Sequence, residues 1–429
     1  MSQHTLATGR AATLIKLAFA AGAKLSAAFI AFGLTALVTR NMPNDEAGLF
    51  LLGFSLLAVL SVVFRLGLDN VVLRFLSAHG TDVFAQEKLN RGLLWVATVV
   101  FPSTVLGMLF SEQIATHIFN KPAFGPVLFW IILALPAMAI FMLLAMAFQA
   151  QHRVVITTIF QNLGISTVFV AAFGYLWYEQ PAVLNAVTAA QIYAGAAVVI
   201  FLAALITWFS QKGISFSVSG YKDKELSSAS NHLWVASCMN LSVQWAAILI
   251  AGALIPAGEL AQLSAAQRTA NLAGFVLVVM NMVLSPMYAR LWREGNINRI
   301  HYLAKISTWG GILIASPFFV AVMLFPRSIM SMFGADYASA STLLVVMIVG
   351  QFVNVLTGPV GVLLNMSGHE KDANKVMLVV GPLLMASSLY FIDQFGVEGA
   401  AISISIGILI QNLAIALMVK KRLGFYTFF

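Results

Sequence analysis

The chain has 429 residues, of which 60% are apolar and only 9% charged, and its mean hydropathy is +0.90. Those values exclude an ordinary soluble globular domain and place the chain in lipid. A net charge of +8 would suggest nucleic acid in a soluble protein, but here the placement of the basic residues matters more than their sum, and no nucleic-acid partner is expected.

Apolar runs of about 19 to 28 residues, the length a helical span needs, begin near Ala11, Ala47, Gly92, Val127, Val154, Ala186, Leu233, Leu260, Ile306, Ser341, Val376 and Gly399. None alternates polar and apolar residues as a lipid-facing barrel strand does, so the fold expected is all-α, a polytopic membrane protein of about 12 transmembrane helices. The first run follows Arg10 in the manner of a secretory signal, yet it carries Lys24 and continues to Val38 without an evident cleavage site; it reads as a retained first span.

With the N-terminus in the cytoplasm, 19 of the 24 lysines and arginines fall on the cytoplasmic side, while the 16 acidic residues divide evenly. That asymmetry is the positive-inside pattern and gives an N-in, C-in topology. The longest polar interruption, Ser210 to His232, follows the sixth span. It divides the chain into an N-terminal six-helix bundle at 1–209, a cytoplasmic linker at 210–232, and a C-terminal six-helix bundle with a short cytoplasmic tail at 233–429.

An internal repeat supports the division. Met42-Pro43-Asn44-Asp45-Glu46 is answered by Ile255-Pro256-Ala257-Gly258-Glu259 at an offset of 213 residues, and Ile118-Phe119 by Met332-Phe333 at 214. Six spans per half make this a parallel repeat, of the kind that places a substrate site between its halves.

Several chemistries are missing. The sequence holds no Gly-Lys dipeptide, hence no Walker A loop, and no Gly-x-Ser-x-Gly elbow. All seven histidines fall at span ends or in loops, and the single cysteine, Cys238, leaves no disulfide or cysteine-based metal site. No cofactor and no enzymatic activity are expected. No acidic residue lies near a span centre, whereas carriers of cations, or carriers coupled to protons or sodium, usually hold an intramembrane carboxylate.

The intramembrane ionisable groups are basic instead. Lys24 lies near the middle of the first span, and the ladder Lys16, Ala20, Lys24, Ala28, Ala31 and Thr35 places it on a face of small residues. That face suits a hydrated cavity, or else close packing in which carbonyls satisfy the lysine. Arg268 lies about two turns inside Glu259, within reach of the interface, of that glutamate, or of a cavity. Polar stripes accompany it: Ser264, Arg268 and Asn271 on one face, Ser237, Asn240 and Gln244 on the seventh span, and Asn354, Gly358, Gly361 and Asn365 on the tenth. Each stripe alone fits interhelical hydrogen bonding. Together with two cations they make Lys24, Arg268, Asn240, Gln244, Asn271 and Asn354 the candidate cavity residues.

The stretches "NDEAGLFLLGFSLLAVLSVVFRLGLDNVVLRFLS", "LSAAQRTANLAGFVLVVMNMVLSPMYARLW" and "FGADYASASTLLVVMIVGQFVNVLTGPVGVLLNMSGHEK" resemble the polysaccharide-transporter branch of the multidrug, oligosaccharidyl-lipid and polysaccharide (MOP) exporter superfamily, which contains the O-antigen and oligosaccharide flippases. The resemblance implies two six-helix bundles of MATE or MOP flippase type, alternating access, and a bacterial inner-membrane carrier moving undecaprenyl-diphosphate-linked oligosaccharide outward, alongside polysaccharide polymerase and assembly proteins. It also implies basic residues facing the lipid diphosphate, a role that Lys24 and Arg268 would fit. The drug-exporting branch is the alternative. It typically relies on carboxylates within the bundles, and here Lys24 stands where a first-helix acid would serve.

Overall fold

The computed structural model describes residues 22, 24–79, 82–151, 153–211 and 223–428, so Lys16 and Ala20 lie outside the described residues. Every regular element among them is a helix. In chain order they are α1 (24–41), α2 (Asn44–Phe64), α3 (Leu68–His79), α4 (Val83–Leu109), α5 (Ser111–His117), α6 (Phe124–Leu133), α7 (Leu135–Ala150) and α8 (Val154–Thr158), the last leading through a π-turn into α9 (Gly164–Glu179). There follow α10 (Ala186–Phe209), α11 (Lys224–Leu254), α12 (Ala257–Arg293), α13 (Ile297–Leu324), α14 (Pro326–Met330), α15 (Ser341–Thr357), α16 (Val360–Met366) and α17 (Glu370–Leu423).

Ten helices among the described residues are long and apolar enough to cross a membrane. One of them, α17, has 54 residues, about 80 Å if straight and far more than a bilayer requires. It breaks at Gly396, whose φ of 57° and ψ of −133° suit glycine alone. Counting its two arms separately gives eleven; α1, the described part of the first expected span, is not among the ten. At the turn a side chain on Gly399 would overlap the Phe391 carbonyl. Gly396→Ala is expected to destabilise the protein by about 1–3 kcal/mol, read as a lower melting temperature in detergent; an unchanged value would show that this turn is not strained.

Side chains define the helix starts. Asp82, Asn185, Asp223 and Asn296 each accept a hydrogen bond from the backbone N–H three residues on, satisfying a donor the helix leaves unpaired. One cap alters a boundary read from the sequence. Polarity placed a linker up to His232, yet Asp223 starts α11 at Lys224, so 224–232 is helical and continuous with the span. A polar composition is compatible with a helix that extends beyond the membrane.

Packing divides the chain into two compact units, Gly33–Ser264 and the pair of segments Met1–Phe32 with Ala265–Phe429. Both α1 and α12 contribute to each.

In the unit 33–264, the continuous span formed by α6 and α7 is deeply buried. Phe50, Phe169, Phe173 and Tyr193 form an aromatic cluster with centroid separations of 5.4–6.2 Å, the range in which rings attract one another. Helix α11, from the second sequence half, packs here against α2 and α3: Trp234 donates from Nε1 to the Val63 carbonyl at 2.8 Å, and Ser230 donates to the Leu66 carbonyl. These contacts hold the break between α2 and α3, where Leu66 and Gly67 have positive φ and Arg65 pairs with Asp69 across the break at 2.9 Å.

The repeat landmarks meet in this unit. Asp45 Oδ1 accepts from the Gly258 N–H at 2.8 Å, a pair separated by the repeat offset itself. Its neighbour Glu46 accepts from the Ala186 N–H at 2.7 Å, so the two acids of the landmark supply caps for α12 and α10.

In the other unit, α15 packs along α17. Ser405 donates to the Val346 carbonyl at 2.7 Å, and a Cβ on Gly350 would come within 2.9 Å of the Ser405 backbone, a small-residue contact of the kind membrane helices use. The chain after α17 folds back: Thr427 donates to the Thr357 carbonyl, and Phe425 stacks on His301 with centroids 4.5 Å apart.

Candidate functional site

Four sequence-selected features converge in the unit formed by the start of α1 and Ala265–Phe429. Arg268 and Asn271, three residues apart on α12, line a cavity of about 220 Å³ with Leu272, Phe275, and Ala28, Ala31 and Phe32 of α1. The small-residue ladder on α1 therefore forms part of the wall, because alanines at i and i+3 share a face. Arg268 is half-buried and its Nη1 lies 3.4 Å from the Ala31 carbonyl oxygen. Glu259 is nine residues away on the same helix, about 13 Å of rise, which is beyond ion-pair distance.

Lys24 is half-buried on α1 and does not touch this cavity. It stands four residues before Ala28, about 6 Å along the helix, on the same face. Its stem can span a turn of that length.

Asn271 and Asn354 are brought together by a residue that the sequence reading passed over. Gln351, 6% exposed, donates from Nε2 to Asn271 Oδ1 at 2.9 Å and accepts at Oε1 from Asn354 Nδ2 at 3.1 Å. Gly274 makes room for the chain of amides, since a Cβ there would lie 3.0 Å from Gln351 Oε1. The missed signal was the spacing: Gln351 precedes Asn354 by three residues, one helical turn on the same stripe.

Asn240 and Gln244 are both exposed on α11, and α11 belongs to the unit 33–264. They are not part of the amide chain.

The cavity's chemistry is one-sided. Arg268 offers a planar fork of donors suited to phosphate or carboxylate oxygens, and with Oδ1 engaged by Gln351, Asn271 retains its Nδ2 donors. No described carboxylate lines the cavity. The aromatic rings of Phe32 and Phe275 complete a wall that is otherwise apolar, an environment in which a few polar groups set orientation.

A second polar cluster lies in the unit 33–264. Asp223 is 6% exposed at its side chain and accepts from Lys88 Nζ at 2.8 Å and from Arg91 Nη1, while Arg91 also reaches Glu87 at 2.6 Å. Lys88 Nζ stands 5.2 and 5.0 Å from the ring centres of Phe75 and Phe84, within cation–π range. Burial pushes the Asp223 carboxyl up, but the Leu226 N–H, Lys88 and Arg91 outweigh it and hold it below its ordinary value. Both cations are paired with carboxylates, so this cluster fastens helices together.

Comparison with known proteins places the architecture. The family described as "Polysaccharide biosynthesis protein" matches residues 15–292, and the MatE family matches residues 233–390. Among solved structures, the lipid II flippase MurJ in an inward closed conformation superposes with a TM-score of 0.78 at 12% identity, over 94% of this chain and 87% of that one. An inward-facing multidrug resistance MATE transporter gives 0.73 at 13% identity, over 94% and 98%. A MOP superfamily transporter from Pyrococcus furiosus, described as having a binding pocket of reverse polarity that suggests a different function, gives 0.68 at 12% identity, over 96% and 95%. At these identities the likeness concerns the fold. An uncharacterised membrane protein of Methanocaldococcus jannaschii is 23% identical over 147 residues, which is 34% of this chain and 29% of the relative's length. With the first family matched across well over half of the sequence and this helical architecture shared with flippases and MATE transporters alike, the chain belongs to the polysaccharide biosynthesis protein family and carries the fold of the MOP exporter superfamily.

Proposed function

We propose that the protein is a flippase that moves undecaprenyl-diphosphate-linked oligosaccharide from the cytoplasmic to the outer leaflet of a bacterial inner membrane by alternating access, with both termini in the cytoplasm. The observation that carries this reading is the cavity beside Arg268 and Asn271, which presents donors and no described carboxylate. A lipid diphosphate needs charge compensation when its head group leaves water, and a guanidinium fork supplies it with matched geometry. Lys24, a turn from the cavity wall, supplies a second positive charge. Asn354 supports the wall through Gln351, and Asn240 and Gln244 form a further polar stripe for the glycan.

We take the two six-helix repeats, 1–209 and 233–429 joined through 210–232, as the moving halves, a view that rests on the 213-residue offset between the landmarks beginning at Met42 and Ile255. Partners in this reading are the lipid-linked glycan, the bilayer, and the polymerase and assembly proteins that receive the product.

A second reading, a cation- or proton-coupled drug or metabolite antiporter of the MATE type, is favoured by the MatE match over residues 233–390. Reconstitution separates the two. Wild-type protein in liposomes is expected to translocate a prenyl-diphosphate-linked sugar and not a lipophilic cation, with Lys24→Ala abolishing movement and Lys24→Arg retaining part of it. Cation transport, or full activity of Lys24→Ala at equal incorporation, would refute the flippase reading or the role of this lysine respectively.

A further inference from the structure

We propose that Gln351 is a positioning residue that sets the charge preference of the cavity, by holding Asn271 with its amide donors available to the ligand; this rests on the reading of the cavity as the site of a lipid diphosphate. Gln351 itself is buried and is not among the residues lining the cavity, so its effect is transmitted through its neighbour. An asparagine side chain is ambivalent, with an oxygen that accepts and a nitrogen that donates on opposite arms of one plane. Which arm meets the ligand depends on what grips the other.

Here the grip has a sense. Asn354 donates to Gln351 Oε1 at 3.1 Å, which leaves Gln351 Nε2 to donate to Asn271 Oδ1 at 2.9 Å. With its acceptor engaged, Asn271 adds Nδ2 to the donors of Arg268, three residues earlier and on the same cavity wall. Two adjacent donor groups complement the oxygens of a phosphate and oppose a cation. Turned over, the same asparagine would put its carbonyl dipole beside the guanidinium and weaken the preference for anions. Helix α15 thus governs the polarity of a site built on α1 and α12. Gly274 permits the arrangement, because a larger residue would press on Gln351 Oε1.

Binding of farnesyl diphosphate and of a quaternary ammonium amphiphile of similar chain length to full-length protein in detergent tests the relay. Gln351→Met removes the grip without adding charge, and is expected to weaken diphosphate binding at least fivefold while leaving or improving binding of the cation. Gly274→Ala, a milder displacement of the same amide, is expected to shift the preference in the same direction by a smaller factor. In an Asn271→Ala background Gln351→Met is expected to have no further effect. Unchanged preference in both Gln351→Met and Gly274→Ala, in samples with the elution profile of the wild type, overturns the proposal, as does a Gln351→Met effect that persists in full without Asn271. Wild-type protein that binds no diphosphate refutes the reading of the cavity, and the relay with it; wild-type binding with unaltered variants refutes the relay alone.

Discussion

Arg268→Ala is expected to weaken binding of a prenyl diphosphate roughly 10- to 100-fold and to stop its translocation. A hydrogen bond to a charged partner contributes about 1.5–3 kcal/mol, and each 1.4 kcal/mol is about tenfold in affinity. The cavity walls around Arg268 are apolar apart from Asn271, so no described lining group can replace the charge. Arg268→Lys should retain part of the binding, because the ammonium keeps the charge and loses the planar fork. The variant pair also separates two roles. If Arg268 serves only to hold α1, through the Ala31 carbonyl that its Nη1 approaches, then Arg268→Ala will lower the melting temperature while leaving the affinity of the folded protein unchanged, and the diphosphate assignment fails. Titration in detergent with a prenyl diphosphate, a prenyl monophosphate and an uncharged prenol gives the readout: the discrimination between them should collapse in Arg268→Ala.

What could be read from the sequence follows the physics that each signal reports. Helix spans were legible because lipid leaves the backbone few ways to satisfy itself, and apolar runs of the right length are unambiguous. Arg65 and Asp69 were legible as a pair because they lie only four residues apart, although the chain between them breaks at Leu66 and Gly67 instead of continuing as a helix. The convergence of Arg268 with Ala28 and Ala31 was foreshadowed only on each helix separately, since a face of small residues tells what a helix can approach but not which neighbour comes. Gln351 was missed for a related reason: its value comes from Asn271, 80 residues away in sequence. The start of α11 was misplaced because a polar stretch was weighed as a linker, while the deciding residue, Asp223, draws its meaning from Lys88 and Arg91 more than 130 residues earlier.

The Asp223 cluster gives the largest expected effect on stability. Asp223→Asn is expected to destabilise the protein by about 3 kcal/mol, the lower end of the 3–5 kcal/mol typical when one member of a buried pair is removed, because Arg91 keeps its bond to Glu87. Asparagine is as good a helix cap as aspartate, so the contact with the Leu226 N–H survives through Oδ1, and the loss reports the charge together with the second oxygen, which accepts from Arg91 and Lys88. The effect has a defined pH range. A carboxyl held below its ordinary value stabilises the fold fully above about pH 4, where the unfolded group is also ionised, and its contribution declines as pH falls through the lower folded value. Wild type and Asp223→Asn should therefore differ in melting temperature by a constant amount between about pH 5 and 8 and converge in acid. Lys88→Gln should be destabilising as well, and the double variant less so than the sum, since the two side chains share one interaction. The cluster joins the start of α11 to α4, and a few residues on, Ser230 and Trp234 hold the break between α2 and α3. Loss of the charge should accordingly raise amide exchange at the first turns of α11 before it affects the aromatic cluster around Phe169. Equal stability of wild type and Asp223→Asn from pH 5 to 8 would mean that the ion cluster contributes nothing net, and that hydrophobic packing and the hydrogen bonds of Ser230 and Trp234 are sufficient to fix α11.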